Sequence, residues 1–437
     1  MNKVALLFPG VGSQYVGMSK TLYDNFKIFK ETIEEAGDIL KQDFAPLSFS
    51  KDKKEELDRL DIAQLTLLTF STAAYRVYMQ EIGILSHYCM GHSLGEYSAL
   101  CAAGVIQFPD ALELVQQRGL ILKEVSAGID GTMMWVINLD SKIVEDVCQE
   151  ASKPGQEIYV SAYDSPNQTS ISGHTDVLMK AAKELEQKGA IVYPLKLSGP
   201  FHSPLMKEAA ERMKAVLRQY EYKNPQYPVI ANRNAQPYTD AESVVDNLSL
   251  QLISPISWRA SVQFLLQQEV KIAIEIGPKN VLKFLMAKNT DAIRVYTTDN
   301  QKDLDLISNE LLIKEDEYLR IIGKCLGAAV STKNRNDDAE EYEQKVIKPY
   351  RRIESLYKEF TEKGKSPGKD LVKESIELLS SILSAKKVPQ QEHNYWTENV
   401  LGNKFINFLP QARTSRNQKG TVLSGKLELS SLRSQLE

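Results

Sequence analysis

Cysteine is scarce in this chain and widely scattered. Cys89, Cys101, Cys148 and Cys325 are the only four in 437 residues. No two of them form a C-x-x-C pair, which argues against zinc clusters, a structural metal and a disulfide scaffold, and fits a reducing, cytoplasmic setting. Positive charge is not in excess either: 53 Lys and Arg stand against 57 Asp and Glu, for a net charge of -4. That balance offers no electrostatic footprint for nucleic acid and no polybasic patch for a membrane. Long apolar runs are missing, so no stretch is long enough to span a bilayer. The first apolar run, Val4 to Phe8, is too short for the core of a signal peptide and reads as a strand entering a glycine loop. No convincing internal repeat is present. Histidine is rare enough, at five residues, for each position to be weighed singly.

What is present is an ordinary globular composition, 43% hydrophobic and 25% charged, at a length that implies two or three structural units. Residues 3–8 have a buried-strand pattern, and Pro9-Gly10-Val11-Gly12-Ser13 forms a tight loop. From Asp61 to Gln80 the apolar positions predict a long helix with a broad apolar face. A strand-like run, His87-Tyr88-Cys89-Met90, precedes Gly91-His92-Ser93-Leu94-Gly95, and a further helix is expected from Asp110 to about Val125. Alternation of this kind predicts an α/β core with a mainly parallel sheet. Residues 131–197 instead read β-α-β-β-α-β, the split arrangement of a ferredoxin-like unit. The expected division is therefore a large subdomain of residues 1–130 and 198–312, an inserted small subdomain of residues 131–197, and a helical extension with a polar tail over 313–437. Within the extension, Ser331 to Glu343 has linker composition, Leu371 to Leu383 an amphipathic helix pattern, and Tyr395-Trp396 with Phe405, Ile406 and Phe408 suggests an aromatic anchor.

The pentapeptide Gly91–Gly95 carries the chemistry. Between a strand and a helix, G-x-S-x-G is a nucleophile elbow: the glycines permit a sharp turn that presents the Ser93 hydroxyl above a sheet. The N–H of Leu94 lies at a helix start, where unmet amides favour a developing oxyanion. The loop around Val11 is the candidate for a second donor. A serine nucleophile needs a base. His92 lies in the elbow itself, His87 in the strand run, His174 at a helix start in the insertion and His393 in the extension. His202, in the loop Ser198 to Met206, remains as the base by elimination. No acidic residue occupies an obvious third position, which leaves a backbone carbonyl to orient it. Serine and histidine together point to acyl transfer through a covalent ester.

Seven segments then resemble one family. They are Phe8-Pro9-Gly10-Val11-Gly12-Ser13-Gln14, Gly91-His92-Ser93-Leu94-Gly95-Glu96, Gln117-Arg118-Gly119, Ser165-Pro166-Asn167-Gln168, Phe201-His202-Ser203-Pro204-Leu205-Met206, Gln251-Leu252-Ile253-Ser254-Pro255 and Glu275-Ile276-Gly277-Pro278. In this order, over roughly the first 300 residues, they resemble the malonyl-CoA:acyl carrier protein transacylases of fatty-acid, polyketide and hybrid lipopeptide synthesis. The resemblance implies an α/β-hydrolase-like core with the ferredoxin-like insertion. It implies that Ser93 is acylated, that His202 is the base oriented by the Gln251 main-chain carbonyl, and that Arg118 holds the malonyl carboxylate. A planar guanidinium suits that task because it pairs with a carboxylate bidentately. Phe201 resembles the malonyl-selective form of its motif, and Gln64 matches a position lining the pocket, with helix packing as its rival role. No bound cofactor is implied; the substrates are a coenzyme A thioester, malonyl-CoA, and the phosphopantetheine of a partner acyl carrier protein. The extension is either a helical segment packed on the catalytic domain or a docking element for a synthase. The chain departs from the family at Val11, where glutamine is usual. That departure keeps open a proofreading acyl hydrolase acting on carrier proteins, although such relatives are expected to lack the arginine, and Arg118 favours transfer. A non-catalytic carrier-binding module is the third class, and the presence of Ser93, His202 and Arg118 weighs against it.

Overall fold

The run Lys-Val-Ala-Leu-Leu-Phe forms strand β1 (Lys3–Phe8), and Val4 to Phe8 are at most 1% exposed. Apolar residues pointing both ways require a sheet covered on both faces, the condition of parallel sheets. In the computed structural model, which describes residues 3–195, 199–402 and 404, β1 is the centre of such a sheet. It pairs in parallel with β2 (Tyr88–Gly91) on one side, and the strand Val270–Glu275, here β8, lies on the other. Val229–Ile230 (β7) and Arg294–Thr297 (β9) form the edges, giving the order β7-β2-β1-β8-β9, with every pairing parallel. All five carboxyl ends therefore point the same way, toward the side where open α/β sheets place their sites.

Helix α1 (Leu60–Glu81) matches the expected position but not the expected character. Its sequence suggests one apolar face, yet every residue from Ala63 to Ala74 is buried, Gln64, Thr66, Thr69, Ser71 and Thr72 included. The Thr66 and Thr69 hydroxyls each donate to the carbonyl four residues back, at 2.8 Å, which lets polar side chains enter the core with their donors met. α2 (Gly95–Ala102) follows the elbow, and α3 (Phe108–Ala127) crosses α1 closely at Gly119, where a Cβ would lie 3.1 Å from Asp61 Cα. That close crossing brings Arg118, the residue before Gly119, against Gln64.

The insertion runs β3 (Gly131–Ile137), α4 (Ser141–Ala151), β4 (Ile158–Ser165), β5 (Gln168–His174), α5 (Thr175–Gln187) and β6 (Ile191–Pro194). Its strands form an antiparallel sheet of order β4-β5-β3-β6, the ferredoxin-like arrangement. Val144, Val147 and Cys148 of α4 and Leu178, Ala181 and Leu185 of α5 pack on it. The last strand, expected over 190–197, ends at Pro194; Lys196, Leu197 and Ser198 lie outside the described residues. β4 returns to the large subdomain through a parallel bridge of Ala162 with Ile256, and Tyr163 N–H donates to the Ile256 carbonyl at 2.9 Å. The helix expected after His202 is α6 (Lys207–Leu217), and after α7 (Ser243–Gln251) a loop and a further helix, Trp258–Gln267, lead back to β8.

The chain divides into two compact units, Asn2–Glu81 with Leu85–Asp305, and Leu306–Glu437 with Ile82–Ile84. The break thus falls at 305/306 rather than 312/313, and Ile313 is already part of the second unit's core. In that unit α8 (Glu315–Ser331), α9 (Lys348–Lys363), α10 (Lys369–Ala385) and α11 (Gln390–Leu401) pack Ile321, Cys325, Ile353, Leu379, Ile382 and Val400 together. The stretch with linker composition is held in place. Asn336 is 4% exposed and donates to the Ala385 carbonyl at 2.9 Å, and the buried Lys386 ammonium donates to the Ala329 and Thr332 carbonyls at 2.6 and 2.9 Å. Its polarity serves a hydrogen-bonded loop that caps α8, a use that composition cannot distinguish from solvation. Trp396 packs against this core while Tyr395 is exposed; Phe405, Ile406 and Phe408 lie outside the described residues. Among the described residues no helix is long and apolar enough to cross a membrane.

Candidate active site

β2 ends at Gly91 and α2 begins at Gly95, so the chain has three residues in which to reverse. The turn needs glycine on both sides. A Cβ on Gly91 would lie 2.0 Å from the Gly95 carbonyl carbon, and one on Gly95 would lie 2.0 Å from the Phe8 carbonyl oxygen. Both obstacles are backbone and cannot swing away. Gly95→Ala is therefore expected to destabilise the protein by at least about 1–3 kcal/mol and to displace Ser93. A urea midpoint and an acylation rate both at wild-type values would contradict this. Ser93, at the apex, has φ +52°, a left-handed conformation uncommon for a residue with a Cβ. The surroundings hold it there: Ser93 N–H donates to Asn232 Oδ1 at 2.8 Å, and Asn232 Nδ2 donates to the Gly91 carbonyl at 2.6 Å.

The structure brings His202 to this serine. Ser93 O–H donates to His202 Nε2 at 2.8 Å, and His202 Nδ1–H donates to the Gln251 main-chain carbonyl at 2.9 Å. The carbonyl, at the end of α7, thus selects the tautomer whose free lone pair faces the Ser93 hydroxyl. Burial, with Arg118 nearby, pushes the His202 pKa down to about 3 although the Gln251 carbonyl favours the cation. The imidazole is a neutral acceptor across the physiological range. The other four histidines are placed elsewhere. His92 faces Asp164 of β4 at 3.1 Å and its ring lies 5.7 Å from that of Trp258; His87 Nδ1 accepts from Val4 N–H at 3.2 Å. His174 Nδ1 accepts from Glu157 N–H at 3.0 Å, and His393 is in the second unit.

Arg118 is 3% exposed, yet among the described residues it makes no ion pair, and its Nε has no partner. Its Nη1 is hydrogen-bonded to Gln64 Oε1, while Nη2 lies 3.3 Å from Ser93 Oγ and 3.4 Å from Gln251 Oε1. Gln64 is thereby placed as the arginine's holder, its own Nε2 donating to the Leu60 carbonyl at 3.2 Å. A buried cation without a counter-ion is costly, and an anion brought by a ligand would complete it. The N–H groups of Leu94 and Val11 have no acceptor among the described residues, and the Val11 loop meets the elbow at Gly10, where a Cβ would lie 2.3 Å from the His92 carbonyl oxygen. Phe201 is 6% exposed, with its ring against Gly199. Beside His202 a cavity of about 460 Å³ opens toward the insertion, lined by Tyr159 and Tyr163 of β4, Cys148 of α4, Pro204 and Ile253.

Two residues joined to the site were not singled out from sequence. Asn232 follows a two-residue strand and belongs to no recognisable pattern. Glu96 directly follows the elbow pentapeptide, but its bonding partners are more than 130 residues away.

Comparison with known proteins supplies the context. The family described as acyl transferase domain matches residues 5–308. A malonyl CoA-acyl carrier protein transacylase of Bacillus subtilis is 36% identical over 395 residues, covering 90% of this chain and 98% of that protein. The Escherichia coli K12 protein of the same name is 36% identical over 294 residues, 67% of this chain and 94% of that one. Among solved structures, a malonyl-transacylase in complex with a type II PKS acyl-carrier protein is 34% identical, with a TM-score of 0.67 over 70% of this chain and 98% of that one. FabD of Acinetobacter baumannii is 33% identical at the same TM-score of 0.67 and the same coverage. A match over 90% of the chain cannot fit within the first 308 residues, so the B. subtilis relative with that coverage also has a counterpart of the helical extension.

Proposed function

Since this chain belongs to the acyl transferase family, and within it to the malonyl CoA-acyl carrier protein transacylases, we propose that it moves malonyl from malonyl-CoA to a carrier protein's phosphopantetheine thiol through an ester on Ser93. The observation that carries this reading is that one oxygen, Ser93 Oγ, lies 2.8 Å from His202 Nε2 and 3.3 Å from Arg118 Nη2. A base and a carboxylate receptor converge on the same nucleophile.

In the first half-reaction His202 Nε2 takes the Ser93 proton as Oγ bonds to the thioester carbonyl carbon. The carbonyl oxygen becomes an oxyanion facing the N–H groups of Leu94 and Val11. The C–S bond then breaks, and the imidazolium returns its proton to the sulfur of coenzyme A. In the second half the carrier thiol gives its proton to His202, attacks the ester, and Ser93 leaves with that proton. Throughout, Arg118, held by Gln64, pairs with the malonyl carboxylate, and Phe201 leaves little room for an α-branch. No bound cofactor takes part, the setting is cytoplasmic, and the pathway is fatty-acid, polyketide or lipopeptide synthesis. For the extension we carry the docking role, with a synthase as partner; its counterpart in the B. subtilis relative that covers 90% of the chain supports a shared use.

Val11 bears on the one rival, hydrolysis. Transfer needs an ester that survives water until the thiol arrives. Val11 puts an apolar wall where the family has an amide, and its main-chain N–H is unchanged by the swap. The isolated malonyl-enzyme is expected to be long-lived in buffer and to discharge quickly on adding holo carrier protein, and Val11→Gln should change either rate only modestly. Labelled malonyl- and acetyl-CoA, with and without carrier protein, make the measurement. Rapid decay in buffer that carrier protein does not accelerate would mean a hydrolase.

A further inference from the structure

Glu96, three residues past the nucleophile on α2, is 1% exposed and has no salt-bridge partner among the described residues. Its carboxylate instead collects three donors. Gln251 Nε2 donates to Oε2 at 2.6 Å, Tyr238 O–H to Oε1 at 2.6 Å, and Asn232 N–H to Oε1 at 3.2 Å. Two of these donors lead directly back to the reacting groups. The same Gln251 Nε2 donates to the Ser93 carbonyl at 2.9 Å, Gln251 Oε1 faces Arg118 Nη2, and the Gln251 main-chain carbonyl holds His202. Asn232 Oδ1 holds the Ser93 N–H, and its Nδ2 holds Gly91 at the strand end.

We propose that Glu96 is a positioning residue whose carboxylate fixes the amide orientation of Gln251 and the place of Asn232, and through them registers Ser93, His202 and Arg118 with one another. The inference rests on the roles given to Ser93 and His202 above. A carboxylate is needed because an amide there could accept on one atom only. With glutamine at 96, its NH₂ would face either the NH₂ of Gln251, which would then have to rotate, losing the Ser93 carbonyl and turning a donor toward Arg118, or the N–H of Asn232, displacing the residue that holds the Ser93 N–H. Protonation of Glu96 on Oε2 would pose the same conflict with Gln251, and on Oε1 it would reverse the bond from Tyr238, so either site disturbs the network.

That equivalence gives the inference a pH signature. Burial pushes the Glu96 pKa up to about 7, while Tyr238, Gln251, Asn232 and Arg118 of α3 favour the charged form; Tyr97, its neighbour on α2, is the other titratable group facing it. The Tyr238 hydroxyl is pushed well above its usual range, and His202 is neutral down to about 3. A loss of Ser93 reactivity as pH falls through about 7 is therefore the expected mark of Glu96 taking up a proton, and the Glu96 and Tyr238 variants test that origin.

The experiment is the rate at which a fluorophosphonate labels Ser93 in the full chain, followed by intact mass from about pH 5 to 9. Labelling joins Ser93 Oγ to phosphorus, expels fluoride and passes the serine proton to His202. It needs the Ser93–His202 pair but no malonyl pocket. Wild type should show an acid limb near pH 7. Glu96→Gln should label about ten- to a hundredfold more slowly at pH 8 and show no such limb, with Glu96→Asp recovering part of both. Tyr238→Phe keeps the carboxylate but removes one of its donors, so its limb should move to higher pH; this variant decides the matter should Glu96→Gln not fold. A limb that persists in Glu96→Gln, labelling of that variant within twofold of wild type, or an unmoved limb in Tyr238→Phe would overturn the proposal. Wild type that labels normally yet accepts no malonyl would count against the malonyl reading alone.

Discussion

Ser93→Ala should leave no covalent malonyl adduct in intact-mass spectra and should lower transfer by at least about 10⁴-fold, the scale on which loss of a nucleophile acts in covalent catalysis. The size follows from where the energy resides. The elbow, the N–H donors and the arginine all act around one oxygen, and without it they have no bond to stabilise. The variant should fold, because the serine hydroxyl makes no contact that the core depends on: its partners are His202, itself held by Gln251, and Arg118, itself held by Gln64. The main-chain bonds from Ser93 N–H to Asn232 and from Gln251 to the Ser93 carbonyl persist in alanine. Loss of the adduct with an unchanged melting temperature is the expected pair of results. An adduct formed in wild-type yield would place the nucleophile elsewhere.

Arg118→Ala should lower kcat/KM for malonyl-CoA by on the order of 2–4 kcal/mol, about 30- to 1,000-fold, and change that for acetyl-CoA little. A charge-assisted pair in a site already drained of water is strong because the arginine was desolvated during folding. Burial pulls the Arg118 pKa down, and only Tyr97 and Glu96 counter it electrostatically. A malonyl carboxylate would supply the missing anion, whereas acetyl brings none. Arg118→Lys should recover only part of the preference, since a point charge cannot meet both carboxylate oxygens and Gln64 in one plane. The measurement is the malonyl-to-acetyl ratio in each variant. A wild-type ratio in Arg118→Ala would remove the arginine from recognition.

Much of the architecture was legible in the chain, for local reasons. The Val4–Phe8 run is apolar on both faces, and that alone requires a covered parallel sheet. The order of the insertion is legible because its two helices each bury one face at helical spacing, Val144, Val147 and Cys148 in α4 and Leu178, Ala181 and Leu185 in α5, between short apolar strand runs. The elbow is legible because its glycines are demanded by atoms within a few residues or on the adjacent strand. His202 could be reached by elimination only because histidine is so rare, not because anything in its own segment demands a base.

By itself, then, the sequence determined most of the elements and the elbow that presents Ser93, since both follow from backbone sterics and burial period over short stretches. The tertiary structure alone decided what surrounds that serine. Ser93 and His202 are 109 positions apart, Gln251 and Glu96 155, and Tyr238 and Glu96 142; no periodicity spans such distances. Whether Gln64 packs a helix or steadies an arginine depends on how closely α3 crosses α1 at Gly119, and whether residues 331–343 are solvated or held depends on carbonyls at the far end of α10. Hydrogen bonds between distant residues leave no local pattern: the same glutamine, asparagine or glutamate reads alike on a solvated face and in a buried network until the fold removes the water.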